Sequence, residues 1–204
     1  MKTAFIFPGQ GSQKVGMGRD VYKNTEIGKS YLNKADEIME YDLSSIIFNG
    51  PENKLKETRF TQPALFTVSV ISGRLLVDRG SKPDFVAGHS LGEFSALTIA
   101  NSFDFETGLK LVQCRANAMY EAGKTLSGTM GAVIGLSPEK VQSICDDITK
   151  NGSVVSPANF NAPGQVVISG DIDAVQLCMS KANECGAKMT VELNVSGAFH
   201  SALM

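Results

Sequence analysis

The chain has 204 residues, of which 43% are hydrophobic and 20% are charged, and its formal net charge is −2 at pH 7. This is the composition of a globular protein, long enough for one large domain or for one domain with a small insertion. The slightly acidic balance argues against a nucleic-acid or anionic-membrane partner. No segment approaches a membrane span or a secretory signal, so we expect a cytoplasmic protein. The four cysteines have spacings that favour neither a metal site nor a disulfide framework.

Short apolar strands alternate with helical patterns in the first part of the chain. The predicted elements are a strand at Thr3–Phe7, helices at Val21–Tyr41 and Gln62–Asp78, a strand at Phe85–Gly88, and helices at Leu91–Ala100 and Phe105–Ala122. Pro63 is expected in the first turn of the second helix. This alternation is typical of a parallel sheet covered by helices.

A second pattern begins at about Thr129. The predicted order is a strand at Gly131–Leu136, a helix at Ser137–Thr149, strands at Ser153–Ala158 and Gln165–Ser169, a helix at Ile172–Cys185 and a strand at Ala187–Val195. The order βαββαβ is the ferredoxin-like arrangement. We therefore predict an α/β fold in which residues 1–128 and 187–204 form the parallel-sheet core. Residues 129–195 form an inserted ferredoxin-like small subdomain that shares the last strand.

The pattern G-x-S-x-G stands between the second strand and the following helix, as Gly88-His89-Ser90-Leu91-Gly92. In that context it predicts a nucleophile elbow, which makes the core α/β-hydrolase-like and exposes the Ser90 hydroxyl above the sheet. The pattern alone arises easily by chance, but its position between a strand and a helix strengthens the assignment. The N–H of Leu91, at the helix N-terminus, can face a developing oxyanion.

A serine nucleophile needs a base, and the chain contains two histidines. His89 adjoins Ser90 on the turn and is expected to brace it, which leaves His200 as the candidate base. No third triad member is evident, because alternation in the last strand places Glu192 on the face opposite the core. The apolar residues expected to face the core there are Met189, Val191, Leu193 and Val195. A carboxylate elsewhere or a backbone carbonyl would have to orient the imidazole.

Arg115 lies in the middle of an apolar helical stripe. The stripe contains Leu111, Val112, Ala118, Met119 and Ala122. Two interpretations are open: an internal salt bridge or snorkelling side chain, or a clamp for an anionic group of a substrate. In an acyl transferase the clamped group would be a carboxylate at the end of the acyl chain.

The glycine-rich loop Gly9-Gln10-Gly11-Ser12-Gln13 follows the first strand but does not match a nucleotide-binding motif. Lys14 occupies the position of the third glycine of the dinucleotide fingerprint, and no Gly-Lys-Ser/Thr marks a P-loop. A loop that brings a second backbone N–H to an oxyanion is more consistent with this position.

Together these segments resemble the malonyl-CoA:acyl carrier protein transacylases of fatty-acid synthesis and the related acyltransferase domains of polyketide synthases. The matching stretches occur in the family's order along the whole chain. They are Phe7-Pro8-Gly9-Gln10-Gly11-Ser12-Gln13, Thr61-Gln62-Pro63-Ala64, Gly88-His89-Ser90-Leu91-Gly92-Glu93, Arg115, Asn161-Ala162-Pro163-Gly164-Gln165-Val166-Val167-Ile168-Ser169-Gly170 and Gly197-Ala198-Phe199-His200-Ser201.

The resemblance implies ping-pong transfer of a malonyl group from malonyl-CoA to the phosphopantetheine thiol of acyl carrier protein. Ser90 and His200 would be the nucleophile and the base. The N–H groups of Gln10 and Leu91 would bind the oxyanion, and Arg115 would pair with the malonyl carboxylate. The ring of Phe199 would leave little room for an α-methyl branch. No cofactor or metal is implied, and the full-length protein is expected to be a monomer.

In this family the chain continues well past the His-Ser-Ala-Leu-Met with which this sequence ends. We therefore expect a fragment with an exposed apolar sheet edge and little activity, lacking the carbonyl that orients the histidine. Two other functions remain open. A serine esterase or thioesterase would share the elbow but needs a catalytic acid between Ser90 and His200. A non-catalytic module that binds a carrier protein would need no base.

Overall fold

A computed structural model of the chain describes residues 2–125, 127–150, 152–193, 195 and 197–204. The chain forms two compact units, Met1–Asn117 and Ala118–Met204. Strands and helices alternate in both units, which confirms the predicted α/β class.

In the first unit, a two-stranded parallel sheet is surrounded by helices. Its elements are β1 (Ala4–Phe7), α1 (Arg19–Asn24), α2 (Glu26–Met39), α3 (Leu43–Asn49), α4 (Glu52–Lys56), α5 (Thr58–Asp78), β2 (Phe85–Gly88), α6 (Gly92–Ile99) and the part of α7 (Phe105–Thr125) up to Asn117. β1 and β2 pair in parallel, with Phe7 opposite Gly88. Phe5 and Phe7 enter the helical core. Alternation turns Ile6 to the other face of the sheet, where its side chain is 78% exposed.

The predicted helix Val21–Tyr41 is two helices, α1 and α2. Thr25 between them has extended backbone angles, and its hydroxyl accepts a hydrogen bond from the N–H of Gly28. This side-chain cap begins α2 and interrupts the helical pattern that predicted one continuous helix. The pattern also missed α3 and α4, although Asp42 caps α3 in the same manner by accepting from the N–H of Ser45.

Helix α5 begins four residues before its predicted start. Pro63 therefore lies in the second helical turn rather than the first. The added first turn is held in place by Thr58 and Thr61, which are buried, and the Thr61 hydroxyl donates to the carbonyl of Leu55 at 2.5 Å.

The expectation that no segment approaches a membrane span is wrong by length and composition, since α5 is long and apolar enough to cross one. In this structure 61% of its most apolar stretch is buried, as in the core helix of a globular protein.

The second unit is built on a four-stranded antiparallel sheet. Its elements are β3 (Gly128–Ile134), α8 (Pro138–Thr149), β4 (Val155–Ala162), β5 (Gln165–Asp171), α9 (Ile172–Glu184) and β6 (Met189–Leu193). The strands follow the order β4-β5-β3-β6, and each neighbouring pair is antiparallel. One face of the sheet packs with α8 and α9 around Val133, Val166 and Ile168.

Two local predictions in the second unit were wrong. β4 continues to Ala162, so a tight turn with Gly164 at φ 72° replaces the expected six-residue loop. On β6, Met189 and Val191 are 50% and 42% exposed rather than buried in a core, because among the described residues neither side chain packs into the hydrophobic clusters of this unit. Asn194 and Ser196, at the end of the predicted strand and in the motif after it, lie outside the described residues.

Candidate active site

Ser90 occupies a sharp turn between β2 and α6. Its φ is 50°, a left-handed conformation that a serine rarely adopts without support from its surroundings. Glycines provide that support by allowing close backbone contacts. A Cβ on Gly88 would lie 1.9 Å from the carbonyl carbon of Gly92, and a Cβ on Gly92 would lie 2.2 Å from the carbonyl oxygen of Phe7. The turn therefore has the backbone geometry of a nucleophile elbow.

The loop after β1 packs closely against this turn. The N–H of His89 donates to the carbonyl of Phe7 at 3.0 Å. A Cβ on Gly9 would lie 2.5 Å from the carbonyl oxygen of His89 and 2.7 Å from its Nδ1, so only glycine fits there. His89 therefore joins the loop to the elbow, which agrees with the bracing role predicted for it.

Two backbone donors of this region are available for a ligand. Among the described residues, no backbone or side-chain acceptor is bonded to the N–H of Gln10 or to that of Leu91. Leu91 caps the N-terminus of α6, where the helix dipole favours negative charge. Both groups belong to the first unit, as does Ser90. Two unbonded N–H donors in the loops after β1 and β2 are the elements from which an oxyanion hole is built.

Arg115 on α7 points to Ser90, the candidate nucleophile. Its Nη2 donates to the Ser90 hydroxyl oxygen at 2.9 Å and its Nη1 donates to Oε1 of Gln62 at 2.5 Å. The guanidinium also lies over the ring of Phe94, at 5.9 Å from the centroid. Leu111, which was predicted in the same apolar stripe, is 44% exposed, because the buried face of α7 is centred on Leu109 and Val112 instead.

Among the residues that the structure describes, Arg115 has no direct counter-ion. Within the described part of the chain, no carboxylate oxygen lies within 4.0 Å of the guanidinium. Burial lowers the pKa of Arg115, and the more distant Glu93 offsets this only in part. The salt-bridge interpretation from the sequence therefore has no partner here. A half-buried cation with neutral neighbours favours an anionic ligand.

Gln62 is a site residue that the sequence analysis did not identify. It is fully buried on α5 and holds the Arg115 guanidinium through its carbonyl oxygen. Its Nε2 donates to Oε1 of Gln10 at 3.4 Å, and Nε2 of Gln10 donates to the hydroxyl of Thr58 at 3.2 Å. The available signal was its place in Thr61-Gln62-Pro63-Ala64, one of the stretches that resemble the family but to which no role was assigned.

The other predicted site residues belong to the second unit. His200 is exposed in a turn and has φ 61°, so the candidate base, like the candidate nucleophile, has a left-handed backbone. Phe199 is 5% exposed and packs with Met130, Ala132 and Val167. Glu192 accepts a hydrogen bond from the hydroxyl of Thr129 at 3.3 Å. The roles assigned to His200 and Phe199 stay predictions.

The described residues contain no group of three or more His, Cys, Asp or Glu side chains that could hold a metal ion. All four cysteines are free thiols; Cys145 and Cys178 are buried, whereas Cys114 and Cys185 are exposed.

A serine on a strand-to-helix elbow, with backbone donors beside it, defines the class of serine-dependent acyl-transfer proteins. Residues 4–204 match the acyl transferase domain family, and the chain belongs to this family. The predicted family resemblance is thereby confirmed.

Several proteins that are similar to this chain are malonyl transacylases. The malonyl CoA-acyl carrier protein transacylase of Bacillus subtilis (strain 168) is 44% identical over 203 residues, which are 100% of this chain and 64% of the relative. The solved structure of the malonyl CoA-acyl carrier protein transacylase from Coxiella burnetii has a TM-score of 0.94 at 40% identity, over 100% of this chain and 64% of that one. A malonyl-transacylase in complex with its type II polyketide acyl carrier protein has a TM-score of 0.94 at 40% identity, over 100% and 66% of the two chains. This chain thus spans slightly less than two thirds of the length of these relatives.

Proposed function

We propose that the protein transfers a malonyl group from malonyl-CoA to the phosphopantetheine thiol of acyl carrier protein, through an ester on Ser90. One observation carries this proposal: a guanidinium without a carboxylate partner among the described residues donates a hydrogen bond to the candidate nucleophile. An acyl group bound to Ser90 would place its distal carboxylate within reach of Arg115. A hydrolase of simple acyl esters has no use for a cation in that position.

The reaction proceeds in two half-reactions. Ser90 attacks the thioester carbonyl of malonyl-CoA while His200 takes the hydroxyl proton, and the tetrahedral intermediate carries its negative charge on the former carbonyl oxygen. That intermediate collapses as the C–S bond breaks, and His200 gives the proton to the leaving thiolate, which becomes the free thiol of coenzyme A. The thiol of the carrier protein then attacks the seryl ester by the same steps in reverse, which restores Ser90.

The N–H groups of Gln10 and Leu91 would stabilise the oxyanion in both half-reactions. Their lack of acceptors among the described residues and the position of Leu91 at the N-terminus of α6 support this assignment. Phe199 would restrict the acyl pocket to unbranched malonyl groups. The malonyl-transacylase and carrier-protein names of the relatives support the choice of donor and acceptor.

The proposal extends to the setting in which the protein acts. We infer a cytoplasmic protein, monomeric when full length, with no resident cofactor and with neither nucleic acid nor membrane as a partner. For the fold, the βαββαβ order and the strand order β4-β5-β3-β6 support a ferredoxin-like subdomain at residues 129–195. The elbow and the parallel pair β1–β2 support an α/β-hydrolase-like core within residues 1–128. The assignment of residues 187–204 to the same core stays a prediction from the sequence.

Mass spectrometry of the chain after incubation with malonyl-CoA tests the proposed function. We expect the mass of one added malonyl group, on the peptide that contains Ser90, and its loss when a phosphopantetheine thiol is added. Release of free malonate without accumulation of the ester would instead identify an esterase or thioesterase. Absence of both the adduct and malonate would leave only the module that binds a carrier protein.

A further inference from the structure

Gln62 carries polar groups into a position that otherwise suits an apolar side chain. It is fully buried in α5, next to Pro63 and one turn away from Phe66. A buried amide is costly unless its oxygen and nitrogen are hydrogen-bonded. Both groups of Gln62 are bonded, and both bonds lead into the site around Ser90.

The contacts of Gln62 connect three parts of the first unit. Its oxygen accepts from Nη1 of Arg115 on α7, and its nitrogen donates to the side chain of Gln10 in the loop after β1. Gln10 in turn donates to Thr58 at the beginning of α5. The same side chain therefore contacts the cation of the site and the residue whose N–H is proposed to bind the oxyanion.

The guanidinium is planar, so fixing one of its nitrogens limits the directions of the others. Because Nη1 of Arg115 is bonded to Gln62, Nη2 is directed at Ser90 and donates to its hydroxyl at 2.9 Å. Gln62 does this as a neutral acceptor. A carboxylate in its place would pair with the guanidinium and compete with an anionic substrate.

We propose that Gln62 is a positioning residue that sets acyl specificity: it orients Arg115 toward the carboxylate of an acyl group on Ser90. This inference rests on the proposed malonyl transfer. It differs from a purely structural role for Gln62, which would affect every acyl donor equally.

The test compares acylation of Ser90 by malonyl-CoA and by acetyl-CoA in single-turnover mass spectrometry of the full chain. In Gln62→Leu we expect the malonyl rate constant to fall roughly 10- to 100-fold, the range for loss of a hydrogen bond to a charged group. The acetyl rate constant should change by less than about threefold, since acetyl makes no carboxylate contact. Gln62→Glu preserves the side-chain size, but its carboxylate would pair with the Arg115 guanidinium and compete with the malonyl carboxylate. This variant should therefore show the same selective loss of malonyl acylation.

Thr67→Val is the matched control. Thr67 is also fully buried on α5, and its hydroxyl has no hydrogen-bond partner among the described residues. The substitution preserves shape and leaves both rate constants unchanged. Equal losses for malonyl and acetyl in the Gln62 variants, or no loss, would overturn the inference. Thermal unfolding of each variant shows whether an equal loss arises from misfolding. If Gln62→Leu is misfolded, the malonyl and acetyl rate constants are compared in the near-isosteric Gln62→Glu instead.

A measurement independent of catalysis separates this inference from the proposed function. Nuclear magnetic resonance of the Arg115 side chain, assigned with Arg115→Lys, reports rotation of the guanidinium. We expect slow rotation in the wild-type chain and faster rotation in Gln62→Leu. Fast rotation in the wild type would contradict the positioning role even if Ser90 accepts malonyl, whereas a wild-type chain with a restrained guanidinium that takes no malonyl would contradict the function alone.

Discussion

The two units of this protein differ in the side chains that they bury. The first unit holds most of the buried polar side chains of the described residues: Thr58, Thr61, Gln62, Thr67, Ser69, Ser95 and Thr98. The main core of the second unit consists of aliphatic residues and two thiols, Cys145 and Cys178, whose sulfur atoms lie 3.6 Å apart. Such thiols pack as small apolar groups. In the first unit one of these buried polar residues, Gln62, holds the Arg115 guanidinium beside the candidate nucleophile Ser90, whereas the core of the second unit is organised by apolar packing.

The largest expected effect is that of Ser90→Ala, which removes the oxygen that forms the ester. We expect malonyl transfer to the carrier-protein thiol to fall by at least roughly 10⁴-fold, as for other serine nucleophiles. Ser72→Ala, an exposed serine on α5, is the control and leaves transfer unchanged. Transfer kinetics with a phosphopantetheine thiol provide the measurement. A malonyl adduct that persists in Ser90→Ala would place the nucleophile elsewhere.

Arg115→Ala tests whether the buried charge of the first unit serves a substrate. Removing one partner of a desolvated charge pair costs about 2–5 kcal/mol, so we expect the kcat/KM for malonyl-CoA to fall by a factor between roughly 30 and several thousand. The value for acetyl-CoA should change little, since its acyl group carries no charge. Arg79→Ala removes an exposed arginine just beyond α5 and serves as the control. Unchanged selectivity between the two donors would rule out the clamp.

Gly92→Ala tests how far the elbow depends on close backbone contact. The new Cβ would meet the Phe7 carbonyl oxygen at 2.2 Å, so we expect the free energy of unfolding to drop by about 3 kcal/mol or more. Gly80→Ala is the control for steric contact: Gly80 has φ 89°, so alanine there strains the backbone, but nothing lies within 4 Å of the added Cβ. Its cost should be about 1 kcal/mol. Equal losses in urea unfolding would show that the contact at Gly92 is relieved by a small backbone shift.

Ile168→Val has the smallest expected effect and probes the apolar core of the second unit. Ile168 is fully buried on β5, and loss of one methylene should lower the free energy of unfolding by about 1 kcal/mol. Selectivity between malonyl-CoA and acetyl-CoA should not change. Denaturant unfolding and the acylation assay together measure both quantities. A shift in acyl selectivity would show that packing in the second unit also determines which substrate is accepted.

Prediction from sequence succeeded where neighbouring residues decide the structure. The strand before Ser90, the helix after it and the two glycines of the turn lie within a few residues of one another, and all were found at their predicted places. The same holds for the helix that Ser137 caps at the start of α8. Local patterns failed at the split between α1 and α2, because one threonine cap outweighs a continuous helical periodicity.

The sequence by itself determined the α/β class, the acyl transferase family and the elbow that carries Ser90. Only the tertiary structure revealed that Gln62 holds Arg115 and that Arg115 reaches the serine. Those bonds join residues 53 and 25 positions apart, and no local periodicity encodes such pairs. The exposure of Met189 and Val191 was equally non-local, since alternation along a strand does not reveal which of its faces other elements cover. Backbone conformation depends on near neighbours, whereas the partners of a buried charge depend on how distant segments pack together.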